Sequence, residues 1–468
     1  MVGPMRILPP LLDIGETEGF SPQKDIFKRA EFGRGLTKLI SETDDPLIIL
    51  LDSPWGTGKT TFLEMWAGEL RTDGYPVILF DAFAHDHIDD AFLALAGELI
   101  SLAKSKIAKD KSTAQKFLGI ASKAGGILLR NATKIGVKAA TLGAINAAEL
   151  ADELSDVASD IAGTASDTVD EYVKGILDRQ ADDKATLSRF REALSELATS
   201  LSPPKSDPYD HSIKSQKRPL IFILDELDRC RPPFALDILE NIKHLFSVPN
   251  VHFILSANLH QLEVSVKYNY GQEIDARSYL QKFYNLSASF PEPERDPKIR
   301  KIYIDYLCRN FEIKNSSHER SDSIMEMMSY VSDAKNLPLR TIERIFANIS
   351  ISITMTPNDL LKLTPIVCGL CIMKVCNPEF FSMAKSGRLS MSEVDATLEF
   401  HKWPERNSRS ADWVRKWWMF CLEKDLPVGE GYNWDQLEGS LFRYNIGSRT
   451  SLVPWTAQWV VEPLSVPE

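Results

Sequence analysis

The chain has 468 residues and a formal net charge of −11; 44% of the residues are hydrophobic and 25% are charged. These values are ordinary for globular proteins, they predict about three domains, and they exclude a collagen-like or wholly disordered chain. The acidic balance also argues against a general nucleic-acid coat protein, because such a protein needs a basic surface.

Four short apolar runs predict buried strands, because strands covered on both faces of a parallel sheet read as continuous apolar segments. A polar entry segment and an amphipathic helix within residues 1–45 precede the first run. Helical patterns separate the runs, so the sequence predicts an α/β fold with a parallel sheet. The four runs span 46–51, 76–80, 219–225 and 251–256. We expect the fourth strand to lie between the first and the third.

The segment between the second and third strands is long and divides by charge. Residues 104–138 carry nine basic residues and one acidic residue, whereas residues 149–184 carry eleven acidic and three basic residues. Proline is absent from residues 107–201, which favours helix. The sequence therefore predicts a long helical insertion at about residues 100–201, within a core domain of residues 46–290.

Three interpretations of the basic segment 104–138 remain open. It could fold against the acidic segment 149–183 as a helical hairpin held by opposite charges. It could instead lie on an anionic membrane surface, as basic amphipathic helices do, or contact nucleic-acid phosphates. The apolar residues that would enter the membrane interface are Phe117, Leu118, Ile120, Ile127, Leu128 and Leu129.

Two further regions follow the core domain. Residues 291–385 have a helical pattern and are predicted to form a helical lid domain. Residues 386–468 contain seven of the nine tryptophans of the chain. This shift in composition predicts a separate C-terminal module.

Cysteine usage and hydropathy indicate the cellular compartment of the protein. Six cysteines are too few for a secreted disulfide framework, and Cys368, Cys371 and Cys376 lie in an apolar run that predicts core thiols on a helix. Residues 1–13 lack the pattern of a signal peptide, and no apolar stretch is long enough to predict a membrane-spanning helix. We expect a cytoplasmic protein, peripheral at the inner face of the membrane if segment 104–138 contacts lipid.

A glycine-containing loop joins the first strand to a helical pattern. Its sequence from Asp52 to Thr60, DSPWGTGKT, matches the Walker A pattern GxxxxGK[ST] except at Ser53, where the pattern has glycine. Such a loop aims backbone N–H groups at phosphate oxygens; Lys59 would reach the β- and γ-phosphates, and the Thr60 hydroxyl would bind Mg²⁺. The predicted nucleotide-binding residues of the loop are Ser53, Pro54, Trp55, Gly56, Thr57, Gly58, Lys59, Thr60 and Thr61.

The third strand ends in the acidic run DELDR. Asp225 lies at the strand end, where a carboxylate beside a phosphate loop can hold Mg²⁺, and Glu226 is placed to orient and deprotonate the attacking water. Asp228 could share the task of Glu226. The fourth strand leads into Ser256-Ala-Asn258, and the side chain of either Ser256 or Asn258 could sense the γ-phosphate. We select Asn258; the alternative is that it caps the next helix. The lack of an NKxD motif favours ATP over GTP.

Residues 54–60 and 225–232, read together, resemble the KAP family of P-loop NTPases, whose two signatures read WGxGK[ST] and DDLDRCxP. The resemblance is specific because general nucleotide chemistry requires neither Trp55 nor Arg229. It extends over about residues 20–350. It implies a P-loop NTPase core that binds ATP and Mg²⁺.

The chain departs from the family pattern at Ser53, which replaces glycine, and at Glu226, where the family usually has aspartate. The resemblance implies that Arg229 bridges to the Walker carboxylates or reaches the nucleotide of a neighbouring subunit. It also implies that Arg340, at the start of a lid helix, contacts the γ-phosphate, with a surface ion pair as the alternative. Many relatives carry membrane-spanning helices between the two motifs, whereas the insertion here carries too many charges to span a bilayer.

The resemblance implies an ATPase that works as a nucleotide-driven switch or assembly ATPase, activated by a protein partner or trigger and able to form a homo-oligomer. Some bacterial family members act in the exclusion of bacteriophage, so anti-phage defence is an expected role. Two alternatives remain: a nucleotide-binding scaffold with negligible hydrolysis, and a DNA-directed motor. The net charge and the lack of a helix-turn-helix, zinc or OB signature argue against the motor, and nucleic acid is not an expected partner.

Overall fold

The structure is a computed structural model. It describes residues 12–88, 90–106, 117, 119–121, 169–201, 218–289, 291, 296–311, 318–355, 363–403, 409–427, 434–443 and 448–462. The chain divides into two compact units. The described residues of 14–21 and 29–291 form the first, which we call the core unit, and those of 1–13, 22–28 and 292–468 form the second, the helical unit.

A five-stranded parallel sheet organises the core unit. Its strands are β1 (Ile48–Asp52), β2 (Val77–Asp81), β3 (Leu220–Asp225), β4 (Val251–Ala257) and β5 (Leu286–Ser289). The strand order is β2-β3-β4-β1-β5, and every neighbouring pair is parallel. The predicted α/β class and the place of β4 between β1 and β3 are therefore confirmed. β5 has no counterpart among the four predicted strands.

Helices cover both faces of the sheet. They are α1 (Ala30–Glu42), α2 (Lys59–Thr72), α3 (Ala82–His85), α4 (Ala91–Lys106), α5 (Val169–Leu201), α6 (Pro232–Asn241), α7 (Leu259–Tyr270) and α8 (Ala276–Leu280). Successive residues of a strand point to opposite faces, so Ile49 joins a hydrophobic cluster with Trp66 while Ile48 joins another with Phe92. Burial on both faces explains why β1, β3 and β4 are continuous apolar runs.

The described residues of the long insertion pack on the rest of the core unit through aromatic rings. Phe190 of α5 lies 5.1 Å from Phe92 of α4, 5.3 Å from Phe246 and 5.7 Å from Phe117, measured between ring centroids. Phe117 is only 1% exposed. The prediction that its side chain enters a membrane interface is therefore wrong, because the ring is already buried among aromatic neighbours.

Most of the insertion lies outside the described residues. This holds for Leu118, Ile127, Leu128 and Leu129 and for the proposed pairing of the basic and acidic segments. Ile120 is partly buried against the same cluster as Phe117. Among the described residues, no helix combines the length and the apolar character that crossing a membrane requires.

A hydrophobic cluster in the helical unit draws on described residues of both predicted regions, 291–385 and 386–468. Gly369 lies so close to Trp418 that an added Cβ would meet the indole Cζ2 at 2.5 Å. Cys368 and Cys371 are buried on the same helix as Gly369, which confirms them as core thiols. The helices are α9 (Pro297–Asn310), α10 (His318–Lys335), α11 (Leu339–Met355), α12 (Thr364–Cys376), α13 (Pro378–Lys385), α14 (Met391–Leu398), α15 (Arg409–Leu422), α16 (Trp434–Arg443) and α17 (Leu452–Thr456).

Candidate nucleotide-binding site

The candidate site lies at the carboxyl ends of the three central strands, the usual ligand-binding edge of a parallel sheet. The register pairs Asp52 at the end of β1 with Ala257 at the end of β4. The backbone N–H of Ser53 extends this ladder by donating to the carbonyl of Ala257 at 3.2 Å. The phosphate loop therefore leaves the sheet directly beside the end of β4.

Two glycines give the phosphate loop its shape. Gly56 and Gly58 both have φ of +78°, a left-handed conformation that costs other residues conformational energy. Gly58 is the N-cap residue of α2 and provides no side-chain oxygen to the first helical N–H groups. The N-terminus of α2, with its positive dipole end, therefore meets the loop, as in anion-binding sites.

Ser53 occupies the position of the first loop glycine and is buried. Its hydroxyl lies 2.6 Å from the hydroxyl of Thr57, which in turn donates to the carbonyl of Pro54 at 3.1 Å. Ser53 therefore closes the base of the loop through its side chain. Thr61 lies on the first turn of α2 and is half-buried.

Lys59 folds its side chain back over the loop, where its Nζ donates to the carbonyl of Ser53 at 2.6 Å. Burial lowers the pKa of Lys59, while the nearby carboxylates of Asp228, Asp225 and Asp52 oppose that shift. The ammonium therefore interacts with several acidic groups, in the place where a P-loop lysine meets phosphate.

Asp225 is only 5% exposed, and three donors surround it. Its Oδ2 accepts from the Thr60 hydroxyl at 2.6 Å, and its Oδ1 accepts from the Ser256 hydroxyl at 2.7 Å and from the Glu226 backbone N–H at 2.9 Å. The two predicted magnesium ligands, Thr60 and Asp225, thus come together from distant parts of the chain. A carboxylate and a hydroxyl are hard oxygen donors, so this pair fits a Mg²⁺ ion.

Glu226 has an unusual backbone and a charged partner. Its φ of +60° is left-handed, which is strained for a residue with a Cβ and is typical of functional sites. Its Oε1 lies 2.8 Å from Nη1 of Arg229. Burial raises the pKa of Glu226, and Arg229 acts in the opposite direction. The predicted base and the predicted motif arginine therefore form an ion pair in this structure.

Trp55 and Asp228 connect the two sequence motifs. The indole Nε1 of Trp55 donates a hydrogen bond to Oδ2 of Asp228. Asp228 is buried, whereas Trp55 is 44% exposed. Asp228, the second candidate base, is thus hydrogen-bonded to a residue of the phosphate loop.

Two further predicted residues are the candidate γ-phosphate sensors, Asn258 and Arg340. The Oδ1 of Asn258 accepts from the backbone N–H of His260 at 3.1 Å and caps α7, which is the alternative that the sequence left open. Arg340 is an exposed residue near the start of α11 in the helical unit. A role for either side chain at the γ-phosphate stays a prediction.

The structure adds residues that the motifs did not indicate. Arg29, which is 3% exposed, donates from Nη1 to the carbonyl of Thr57 at 2.7 Å. Asp86 accepts from the backbone N–H and the Nε of Arg231, at 2.8 Å and 2.9 Å. No pattern marked Arg29, because it is one arginine in a polar segment. Ser256 is the residue that the sequence offers as the alternative to Asn258, and its hydroxyl donates to Asp225 at 2.7 Å.

The comparison with protein families agrees with this geometry. The family described as the KAP family P-loop domain matches residues 29–355, which is well over half of the chain. The chain belongs to the KAP family of P-loop NTPases. The KAP domain begins at Arg29 and ends at Met355, the last residue of α11, so it spans the core unit from Arg29 onward and reaches into the helical unit. No curated protein matches the chain.

Membership in the KAP family makes this chain a nucleotide-binding P-loop NTPase. P-loop NTPases in general bind their nucleotide together with Mg²⁺. The pair of Thr60 and Asp225 supplies suitable ligands, and the loop of Gly56 and Gly58 with Lys59 supplies the phosphate site.

Proposed function

We propose that this KAP protein binds ATP with Mg²⁺ and hydrolyses it, and that it works as a nucleotide-driven switch. The observation that supports this most directly is the 2.6 Å hydrogen bond from Thr60 to Asp225, with the Lys59 ammonium beside it. Mg²⁺ at this pair would neutralise negative charge on the phosphates. Lys59 would hold the β- and γ-phosphates, and Glu226 would orient the attacking water and accept its proton.

Binding and turnover are the first tests of this proposal. We expect calorimetry to show binding of Mg-ATP, with weaker binding of Mg-GTP, and we expect phosphate release to follow. Lys59→Ala removes the charge that faces the phosphates and should abolish binding or turnover. Glu226→Gln should still bind Mg-ATP but release phosphate far more slowly, because the water loses its base. Normal turnover by Lys59→Ala would contradict the assignment of the site.

A second candidate function is a nucleotide-binding scaffold that hydrolyses slowly. The ion pair of Glu226 with Arg229 favours it, because a carboxylate engaged at 2.8 Å by an arginine is less available to take a proton from water. The two functions differ in the effect of a trigger. Phosphate release that rises strongly when a partner is added supports the switch, whereas slow release under every condition supports the scaffold.

The role in the cell is proposed from the family resemblance. We propose a protein partner or trigger, nucleotide-dependent self-association and a place in bacterial anti-phage defence. Light scattering with and without a non-hydrolysable ATP analogue tests self-association, and a strict monomer with full activity would contradict it. Plaque counts on a host that expresses the wild type or Lys59→Ala test defence. A DNA-directed motor is the remaining alternative, and stimulation of phosphate release by DNA would favour it.

A further inference from the structure

Arg29 lies outside both nucleotide motifs, yet it contacts the phosphate loop directly. It is the N-cap residue of α1, and its side chain is almost completely buried. Its two terminal nitrogens reach two different segments. Nη1 donates to the carbonyl of Thr57 at 2.7 Å, and Nη2 donates to the carbonyl of Pro291 at 3.0 Å. The planar guanidinium thus binds two carbonyls at once with fixed geometry.

The contact with Thr57 has a consequence for the next N–H group. The peptide unit between Thr57 and Gly58 is planar and trans, so its N–H points away from its C=O. Because the carbonyl faces Arg29, the N–H of Gly58 faces away from Arg29. Hydrogen bonding to a cation also polarises the peptide, which makes that N–H a stronger donor to an anion.

Gly58 lies close to the guanidinium of Arg29. A Cβ added at Gly58 would lie 3.2 Å from Nη1 of Arg29, in addition to the strain of a φ of +78°. The left-handed φ therefore favours glycine at this position, and a Cβ there would also crowd the guanidinium. Arg29 therefore packs directly against the backbone of the phosphate loop.

The second contact of Arg29 is with Pro291, the last residue of the core unit. The chain enters the core unit at Arg29, directly after Lys28 of the helical unit. It leaves the core unit after Pro291. One buried side chain therefore joins both of these boundary positions to the backbone of the phosphate loop.

We propose that Arg29 is a positioning residue of the nucleotide site. It holds the peptide between Thr57 and Gly58 so that the Gly58 N–H is presented to bound phosphate, and it anchors this peptide to Pro291. The inference rests on the proposed function, because it requires that the loop binds a nucleotide. Arg29 acts through the loop and does not itself touch the nucleotide.

The test compares nucleotide affinity in four proteins: the wild type, Arg29→Met, Arg29→Lys and the control Arg34→Met. Arg34 lies on the same helix as Arg29, but it is exposed and pairs with Glu69 at 3.4 Å, away from the loop. The probe is Mg-ADP, measured by calorimetry together with the melting temperature before and after its addition. We expect Arg29→Met to weaken binding by about tenfold or more, since a charge-assisted bond is lost.

The other variants separate positioning from a role in stability alone. Arg29→Lys keeps the charge but loses the planar fork, so we expect a several-fold loss of affinity. Arg34→Met should bind as the wild type does. If Arg29→Met lowers only the ligand-free melting temperature and keeps its affinity, the inference is overturned. Should Arg29→Met fail to fold, unchanged affinity of Arg29→Lys overturns it equally. If the wild type itself binds no nucleotide, the proposed function fails, and this inference fails with it.

Discussion

The indole N–H of Trp55 donates a hydrogen bond to the carboxylate of Asp228, which lies 173 residues further along the chain. Trp55 belongs to the phosphate loop, and Asp228 belongs to the acidic motif after β3. Both positions lie in the two KAP signatures, and general nucleotide chemistry does not require the tryptophan. Their contact gives a physical reason for a tryptophan in the loop, because its N–H holds a buried carboxylate.

A double-mutant cycle tests this contact. Trp55→Phe keeps an aromatic ring but removes the N–H, which leaves Asp228 without this donor, and Asp228→Asn removes the charge. We expect each variant to weaken Mg-ATP binding several-fold, and the double variant to be little worse than either. Such non-additivity would correspond to a coupling of about 1 kcal/mol. Purely additive effects, measured by calorimetry, would show that the contact contributes nothing to binding.

Four strands of the sheet could be predicted from the sequence, whereas the edge strand β5 could not. β1, β3 and β4 are buried on both faces, and that burial forces continuous apolar runs. β5 has the sequence Leu286-Ser-Ala-Ser289 and lies at the edge of the sheet, where Leu286 is exposed. A short, polar edge strand lacks the apolar signal that marks the other strands, so only its pairing with β1 identifies it.

Some residues of the candidate site could likewise be predicted from the sequence, and others could not. Motif spacing was sufficient to predict Lys59, Thr60 and Asp225, because phosphate and metal chemistry require those residue types in that order. Arg29 could not be predicted, since its role depends on a carbonyl that only the folded chain brings within 2.7 Å. The type of residue alone could not decide the role of Asn258. A side-chain amide can cap a helix N-terminus as well as contact a phosphate.

A second prediction concerns the pH dependence of hydrolysis. Glu226 must be ionised to act as a base, and burial raises its pKa, so kcat/KM should fall as the pH drops through that raised value. Arg229 favours the ionised form. Arg229→Gln should therefore raise the pKa further and move the acidic limb of the profile to higher pH.

The matched control for this profile is Arg231→Gln. Arg231 is two residues further along the chain, and its side chain pairs with Asp86 at 2.9 Å rather than with Glu226. The acidic limb of the pH profile of Arg231→Gln should stay close to that of the wild type. An unchanged limb in Arg229→Gln would indicate that the ion pair does not control the ionisation of Glu226.

A third prediction concerns the core of the helical unit. In Gly369→Ala the new methyl group would meet Trp418 at 2.5 Å, so a well-packed region must shift. We expect destabilisation of about 1–3 kcal/mol, as found when cores are overpacked.

Gly97→Ala is the matched control, because Gly97 also lies within a helix and has open space around its Cβ position. That change should be neutral or stabilising by up to about 1 kcal/mol. Equal melting temperatures of the two variants would contradict the packing argument.

The last prediction concerns the basic segment 104–138 as a membrane-binding surface. Phe117 is buried against Phe190, so it cannot supply apolar contacts to lipid in this fold. Binding to anionic vesicles would draw on the positive charges of the segment. Such binding is weakened by salt, because surface charges are screened over about 10 Å at 0.1 M ionic strength. We expect flotation with anionic vesicles at low salt, none with neutral vesicles, and loss of flotation when four basic residues are neutralised. These residues are Lys123, Arg130, Lys134 and Lys138. Absence of flotation at low salt, with a protein that retains its wild-type circular dichroism spectrum, would exclude lipid as the ligand of this segment and favour its pairing with the acidic segment 149–183.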